Sequence, residues 1–123
     1  DGSSQAAVQF IRDNCHQPFY LHFASYFPHV PLYTPCRWLL EKYRHKNPSL
    51  TKQQITYAAM VESMDHYIGH ILQELERQSL ASETLVIFTS DHGGDPRHDI
   101  TAPYRGCKWT LYEGGIRVPL IIR

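Results

Sequence analysis

Four side chains stand where chemistry could be done: Asp91, His92, Lys108 and His29. Asp91 and His92 follow directly on Thr84-Leu85-Val86-Ile87-Phe88 and Thr89-Ser90. That short apolar run of β-formers reads as a buried strand in the middle of a parallel sheet. A carboxylate and an imidazole at the carboxyl end of such a strand sit where open α/β sheets place ligands. Gly93 and Gly94 come next, and glycines let the backbone turn sharply and come close to whatever the pair holds. A carboxylate supplies the hard oxygen that calcium or magnesium prefers, whereas an imidazole suits zinc or manganese better. The same Asp would serve as a strand-end cap on the following turn. Lys108 lies in a second block, Arg105-Gly106-Cys107-Lys108-Trp109-Thr110-Leu111-Tyr112-Glu113-Gly114-Gly115-Ile116-Arg117-Val118-Pro119, which runs into another apolar strand at residues 118–122. Its ammonium is a compact charge for an anionic oxygen, and beside a metal it could neutralise an anionic ester and its transition state.

His29 is a weaker signal. It follows Phe19-Tyr20-Leu21-His22-Phe23-Ala24, a predicted strand, and stands in Ser25-Tyr26-Phe27-Pro28-His29-Val30-Pro31. The two prolines predict a stiff, extended exit that presents His29 at a strand end. By residue type alone it is a loop histidine. His22, inside the strand, reads as a packed, hydrogen-bonded core histidine.

The rest of the chain supplies elements to position these groups. Ser3 or Ser4 is a candidate cap for a short helix carrying Ala7, Val8, Phe10 and Ile11, broken at residues 14–17. A second helix is expected over 35–44. The longest is expected over 52–78, with Thr51 and Gln54 forming a capping box and Ile55, Ala59, Met60, Met64, Tyr67, Ile68, Ile71, Leu72 and Leu75 an apolar stripe. Glu62, Gln73, Glu74, Glu76 and Arg77 are placed facing away from it, and Asp65 close to it, partly buried in a structural role. Glu62, His66 and His70 have a spacing that zinc could use, but no fourth ligand is suggested nearby and a solvated face accounts for them. Residues 95–104 read as an irregular surface loop. Arg117 needs a carboxylate, and Glu113 is the candidate partner in a structural ion pair. Strand and helix signals alternate, which supports an α/β layer with a mostly parallel sheet flanked by helices.

Composition limits the function. The chain has 123 residues, room for one modest domain, and 12 basic residues balance 12 acidic ones. A nucleic-acid binder would carry a basic excess. No apolar run reaches membrane-spanning length and no signal peptide is visible. Asp1-Gly2-Ser3-Ser4 is polar and lacks Met, so it reads as a cut inside a longer chain. Cys15, Cys36 and Cys107 are odd in number, form no CxxC, and define neither a disulfide framework nor a structural zinc site.

Taken together, Ser90-Asp91-His92-Gly93-Gly94 and Lys108…Tyr112-Glu113-Gly114-Gly115-Ile116-Arg117-Val118-Pro119 closely resemble the sulfatase family, within the alkaline-phosphatase-like superfamily. The order and spacing of both blocks fit, over about Pro18 to the C-terminus. The resemblance implies that residues 1–123 are the C-terminal portion of a catalytic core. It implies one calcium or magnesium ion held in part by Asp91 and His92, and a sulfate ester, of a small molecule or a sulfated glycan, met by Lys108. Pro28-His29-Val30-Pro31 resembles the segment that carries an active-site histidine beside the sulfate, which would shield the anion or protonate the leaving oxygen. Lys108 and His29 would then converge at the edge of one sheet. A secreted, periplasmic or lysosomal setting is implied as well.

The sequence departs from the family in one respect. Sulfatases use a formylglycine made in a Cys/Ser-x-Pro-x-Arg motif, and no Cys or Ser here lies in one. The nucleophile and further carboxylate ligands are expected upstream, and the chain alone is expected to be inactive. Two alternatives stay open. One is a phosphate or phosphonate ester hydrolase of the same superfamily; the other is a truncated, non-catalytic sulfatase-like module.

Overall fold

Thr51 opens the longest element of the chain. In the computed structural model, which describes residues 2–97 and 101–123, the Thr51 hydroxyl accepts from the Gln54 backbone N–H at 3.2 Å, and the Gln54 side chain accepts from the Thr51 N–H at 2.9 Å. This reciprocal box satisfies two helix-end donors, and helix α3 runs from it over Lys52–Arg77. Helix α1 is Gly2–Asn14 and helix α2 is Arg37–Lys46. Ser3 and Ser4 therefore lie inside α1 rather than ahead of it, with Ser4 buried.

Two compact units divide the chain, Asp1–Thr84 and Leu85–Arg123. In the first, α1 and α2 both pack on α3. Ala7 and Ile11 from α1, Leu39 from α2, and Ile55, Ala59, Met60, Ile71 and Leu75 from α3 form the core. Truncating a buried Ile or Met of this kind typically costs about 2–5 kcal/mol. Glu74 departs from the sequence reading. It is 1 % exposed, not on the solvent face. The Arg12 guanidinium donates to both its oxygens, at 2.9 and 3.0 Å, and Gln78 Nε2 donates at 2.8 Å. A buried carboxylate is tolerated where donors replace its lost water. Here the donors come from α1 and the end of α3, and they hold the Glu74 carboxyl down at about 2. Lys42 makes a similar tie from α2 to Glu62, at 2.6 and 2.8 Å. That ion pair takes Glu62 out of any zinc site. His66 and His70 stack edge-to-face at 4.3 Å between ring centres, both exposed. Asp65 is exposed as well, one position off the stripe.

The strand expected over 19–24 is extended in exposure pattern but forms no ladder among the described residues. Phe19, Leu21 and Phe23 are half-buried while Tyr20, His22 and Ala24 are exposed. His22 is thus not a core histidine; the alternation of a strand puts it on the open face.

The second unit holds strand β1, Ile87–Thr89, the one-turn helix α4, Glu113–Ile116, and strand β2, Leu120–Ile122. The α/β class stands, as helices plus a small sheet. The ladder itself is antiparallel, with Ile87 opposite Ile122, Phe88 opposite Ile121 and Thr89 opposite Leu120. Antiparallel pairs are common at the edges of mostly parallel sheets. Val86 and Arg123 extend it with mutual bonds of 2.8 and 3.0 Å. The strand read as buried is not buried here: Leu85, Ile87, Leu120, Ile121 and Ile122 are each more than half exposed. A strand apolar on both faces needs a layer on each side, and the described residues of this unit contribute the two strands and one turn of helix. Of the loop expected at 95–104, His98, Asp99 and Ile100 lie outside the described residues, as does Asp1. Asp95 and Arg97 form a tight pair at 2.6 Å. No helix among the described residues is long and apolar enough to cross a membrane.

Candidate metal and anion site

β1 delivers its end directly into the Asp91-His92 step. The Ser90 hydroxyl donates to the His92 carbonyl at 3.0 Å and closes the turn. His92 Nδ1 lies 2.9 Å from the Gly93 carbonyl oxygen. A carbonyl only accepts, so Nδ1 carries the proton and Nε2 keeps its lone pair in the neutral ring. A backbone carbonyl often fixes a metal-binding histidine in this way. Nε2 lies 3.2 Å from Asp91 Oδ2, and the Asp91 side chain is 82 % exposed. One carboxylate oxygen and one ring nitrogen thus lie side by side on an open surface. Their separation fits two neighbouring ligands of one cation, each about 2.3–2.6 Å from it. Two donors do not complete a site. Among the described residues, no three His, Cys, Asp or Glu side chains gather to hold a metal.

The lysine block is locked onto this step through the backbone. Gly93 N–H donates to the Gly115 carbonyl at 2.8 Å, and the Lys108 N–H donates to the Gly94 carbonyl at 2.9 Å. Gly114 N–H donates to the Arg105 carbonyl at 2.8 Å, which ties the block to itself. The approach is close enough to exclude side chains. A Cβ on Gly93 would lie 1.9 Å from the Gly114 carbonyl oxygen, and one on Gly114 would lie 2.0 Å from that of Gly106. Gly93 and Gly114 are therefore packing requirements as well as turn formers.

Lys108 sits on a turn from Cys107 to Thr110. Thr110 closes it three times over. Its N–H donates to the Cys107 carbonyl at 3.0 Å, its hydroxyl donates to the same oxygen at 2.7 Å, and the hydroxyl accepts from the Cys107 N–H at 3.1 Å. Among the described residues no carboxylate lies within ion-pair distance of the Lys108 ammonium; its close neighbour is the Trp109 ring, 5.4 Å away at the centre. Glu113 and Arg117 do pair, at 3.3 Å across α4, but on an exposed surface rather than in an apolar setting. Sequence reading passed over Thr110 and Trp109. A Thr two residues after the lysine is a recognisable turn-closing signal; the left-handed backbone of Trp109 leaves no trace in residue type.

His29 belongs to the other unit. Its exit is a turn rather than an extended segment, since the His29 N–H donates to the Tyr26 carbonyl at 2.9 Å. His29 Nδ1 donates to the Val30 carbonyl at 2.7 Å, and the Tyr26 hydroxyl donates to the same oxygen at 2.7 Å. The imidazole is exposed, with Nε2 directed away from these bonds. The structure therefore ties Asp91, His92 and Lys108 into one backbone framework and fixes the ring of His29 separately.

The family model for sulfatases matches residues 3–123. The chain belongs to the sulfatase family. The match begins well before Pro18, so the helical unit is part of it. A sulfatase from Formosa agariphila is 36 % identical over 136 residues, covering 100 % of this chain and 24 % of the relative. Human steryl-sulfatase is 34 % identical over 126 residues, covering 95 % of this chain and 20 % of the relative. Among solved structures, Ps i-CgsB in complex with k-i-k-neocarrahexaose superposes with a TM-score of 0.90 at 30 % identity, over 99 % of this chain and 27 % of that one. The sulfatase chain thus spans about a fifth to a quarter of the length of these proteins.

Proposed function

We propose that the intact protein containing this sequence is a sulfuric ester hydrolase, releasing sulfate from an aryl, sugar or glycan sulfate ester. The observation that carries this is the backbone lock between the two blocks, Gly93 to Gly115 and Lys108 to Gly94, which ties the lysine turn to the Asp91-His92 step. Family membership and relatives named as sulfatases support it. Asp91 Oδ2 and His92 Nε2 would hold part of the metal site, with calcium or magnesium the ion that the carboxylate favours. Bound there, the cation would polarise the sulfate oxygens. Lys108 sets a positive charge toward the same anion, where it stabilises the charge spread over the sulfate in the transition state. His29, its ring oriented by Val30, binds the sulfate or donates a proton to the leaving oxygen. The nucleophile, by family a formylglycine, comes from another part of the protein, so this stretch alone is inactive.

The test is hydrolysis of an aryl sulfate against the matching aryl phosphate by the full-length protein. A strong preference for sulfate, lost on Lys108→Ala, is expected. A strong preference for phosphate would assign the protein to the phosphate or phosphonate ester hydrolases of the superfamily. No turnover of either would leave a non-catalytic module.

A further inference from the structure

Trp109 shares the turn with Lys108 and takes no part in closing it. The bonds that hold the turn run between Cys107, Thr110, Lys108 and Gly94. Trp109 nevertheless adopts φ +74°, a left-handed backbone that bulky residues rarely take and glycine takes freely. Its side chain is 77 % exposed. The third position of this turn calls for a positive φ, which glycine meets without strain, so tryptophan is the residue that the turn itself favours least. Strained backbone held in place by its surroundings is a mark of functional positions. The third observation is the ring's place, with the Lys108 ammonium 5.4 Å from its centre. An anion on that ammonium would carry its organic group to the indole. A flat aromatic surface is what a ring-shaped group stacks upon.

We infer that Trp109 is a specificity-determining residue, stacking on the ring that bears the sulfate while Lys108 holds the sulfate itself. This rests on the sulfate-ester function proposed above.

The test uses the full-length, metal-loaded protein, 4-nitrophenyl sulfate as substrate and inorganic sulfate as a competitive inhibitor without a ring. Trp109→Gly is expected to lower kcat/KM for 4-nitrophenyl sulfate about three- to tenfold, the size of one lost aromatic contact. Inhibition by inorganic sulfate should stay within about twofold, because the sulfate contacts remain. The melting temperature should hold or rise, since glycine relieves the left-handed strain. Trp109→Phe, which keeps a ring face, should retain most of the activity. A parallel loss of sulfate inhibition would overturn the stacking role, because Trp109 would then act through the Lys108 ammonium. A lowered melting temperature with unchanged kinetics would make the residue structural and overturn it equally. A wild-type protein inert toward sulfate esters defeats the underlying function as well, a result visible before any variant is made.

Discussion

The backbone N–H of Lys108 donates to the carbonyl of Gly94 at 2.9 Å, two residues beyond His92. The backbone from which the Lys108 side chain springs is thus tied to the Asp91-His92 step by a main-chain bond. Positions fixed by backbone cost little reorganisation when charge develops, which is what electrostatic stabilisation requires.

Gly93→Ala should break this framework. The added methyl would fall 1.9 Å from the Gly114 carbonyl oxygen, a main-chain atom that cannot swing aside. Overpacking of this kind costs about 1–3 kcal/mol. A shift of about 1 Å in the Asp91-His92 step should lower kcat/KM about a hundredfold. Chemical denaturation and kinetics on the full-length protein measure both, and wild-type values for both would show that the two blocks are not locked together in solution.

Lys108→Ala removes the ammonium and should reduce kcat about 10²–10³-fold, by analogy with lost oxyanion donors. Lys108→Arg should rescue poorly, because a planar fork does not replace a compact ammonium. Full rescue by Arg in steady-state assays would mean that only the charge matters.

Metal removal tests Asp91 and His92. A chelator should abolish hydrolysis, and calcium or magnesium should restore it. Asp91→Asn should raise the metal concentration needed for half-activity by at least about tenfold, since one ionic ligand is lost. An unchanged metal titration would place Asp91 outside the metal site.

Much of this arrangement was legible in the sequence, and the exceptions share a cause. The capping box at Thr51 and Gln54 and the stripe of α3 depend on neighbours three and four residues apart, which the sequence displays. The Asp-His-Gly-Gly and Lys…Glu-Gly-Gly blocks are visible as a resemblance to the sulfatase family, and the family match bears that resemblance out. Glu74 was misplaced because its burial depends on Arg12, which lies on another helix. His22 and the run ending at Phe88 were read as buried because apolar strands normally are, but burial needs a covering layer that these residues do not themselves provide. Trp109 escaped because a positive φ on a non-glycine residue is imposed by surrounding bonds rather than by the residue itself.

Glu74 gives a pH dependence whose sign follows from its partners. Arg12, then Gln78, hold its carboxyl at about 2, below the ordinary 4.5. A depressed folded-state pKa adds stability that is complete above the unfolded value and is lost as pH falls through the folded one. Glu74→Gln should therefore lower the melting temperature of the full-length protein at neutral pH. The gap from wild type should stay level down to about 4.5 and close toward about 2. A gap independent of pH over that window would show that the carboxylate charge contributes nothing.

His29 poses the question of what its exposed nitrogen does. The Val30 carbonyl fixes Nδ1 as the protonated atom, at 2.7 Å, so any proton given to a substrate must come from Nε2 of the doubly protonated ring. A general acid matters most when the leaving oxygen is basic. His29→Ala should then reduce turnover of alkyl and sugar sulfates far more than that of 4-nitrophenyl sulfate, by about 10²–10³-fold against about tenfold or less. A plot of log kcat/KM against leaving-group pKa should steepen in the variant. Equal losses across the series would instead assign His29 to holding the sulfate, with the proton supplied elsewhere. His29→Gln separates the two roles further. It keeps a hydrogen-bond donor but gives up no proton at neutral pH, so it should restore sulfate binding without restoring the slow substrates.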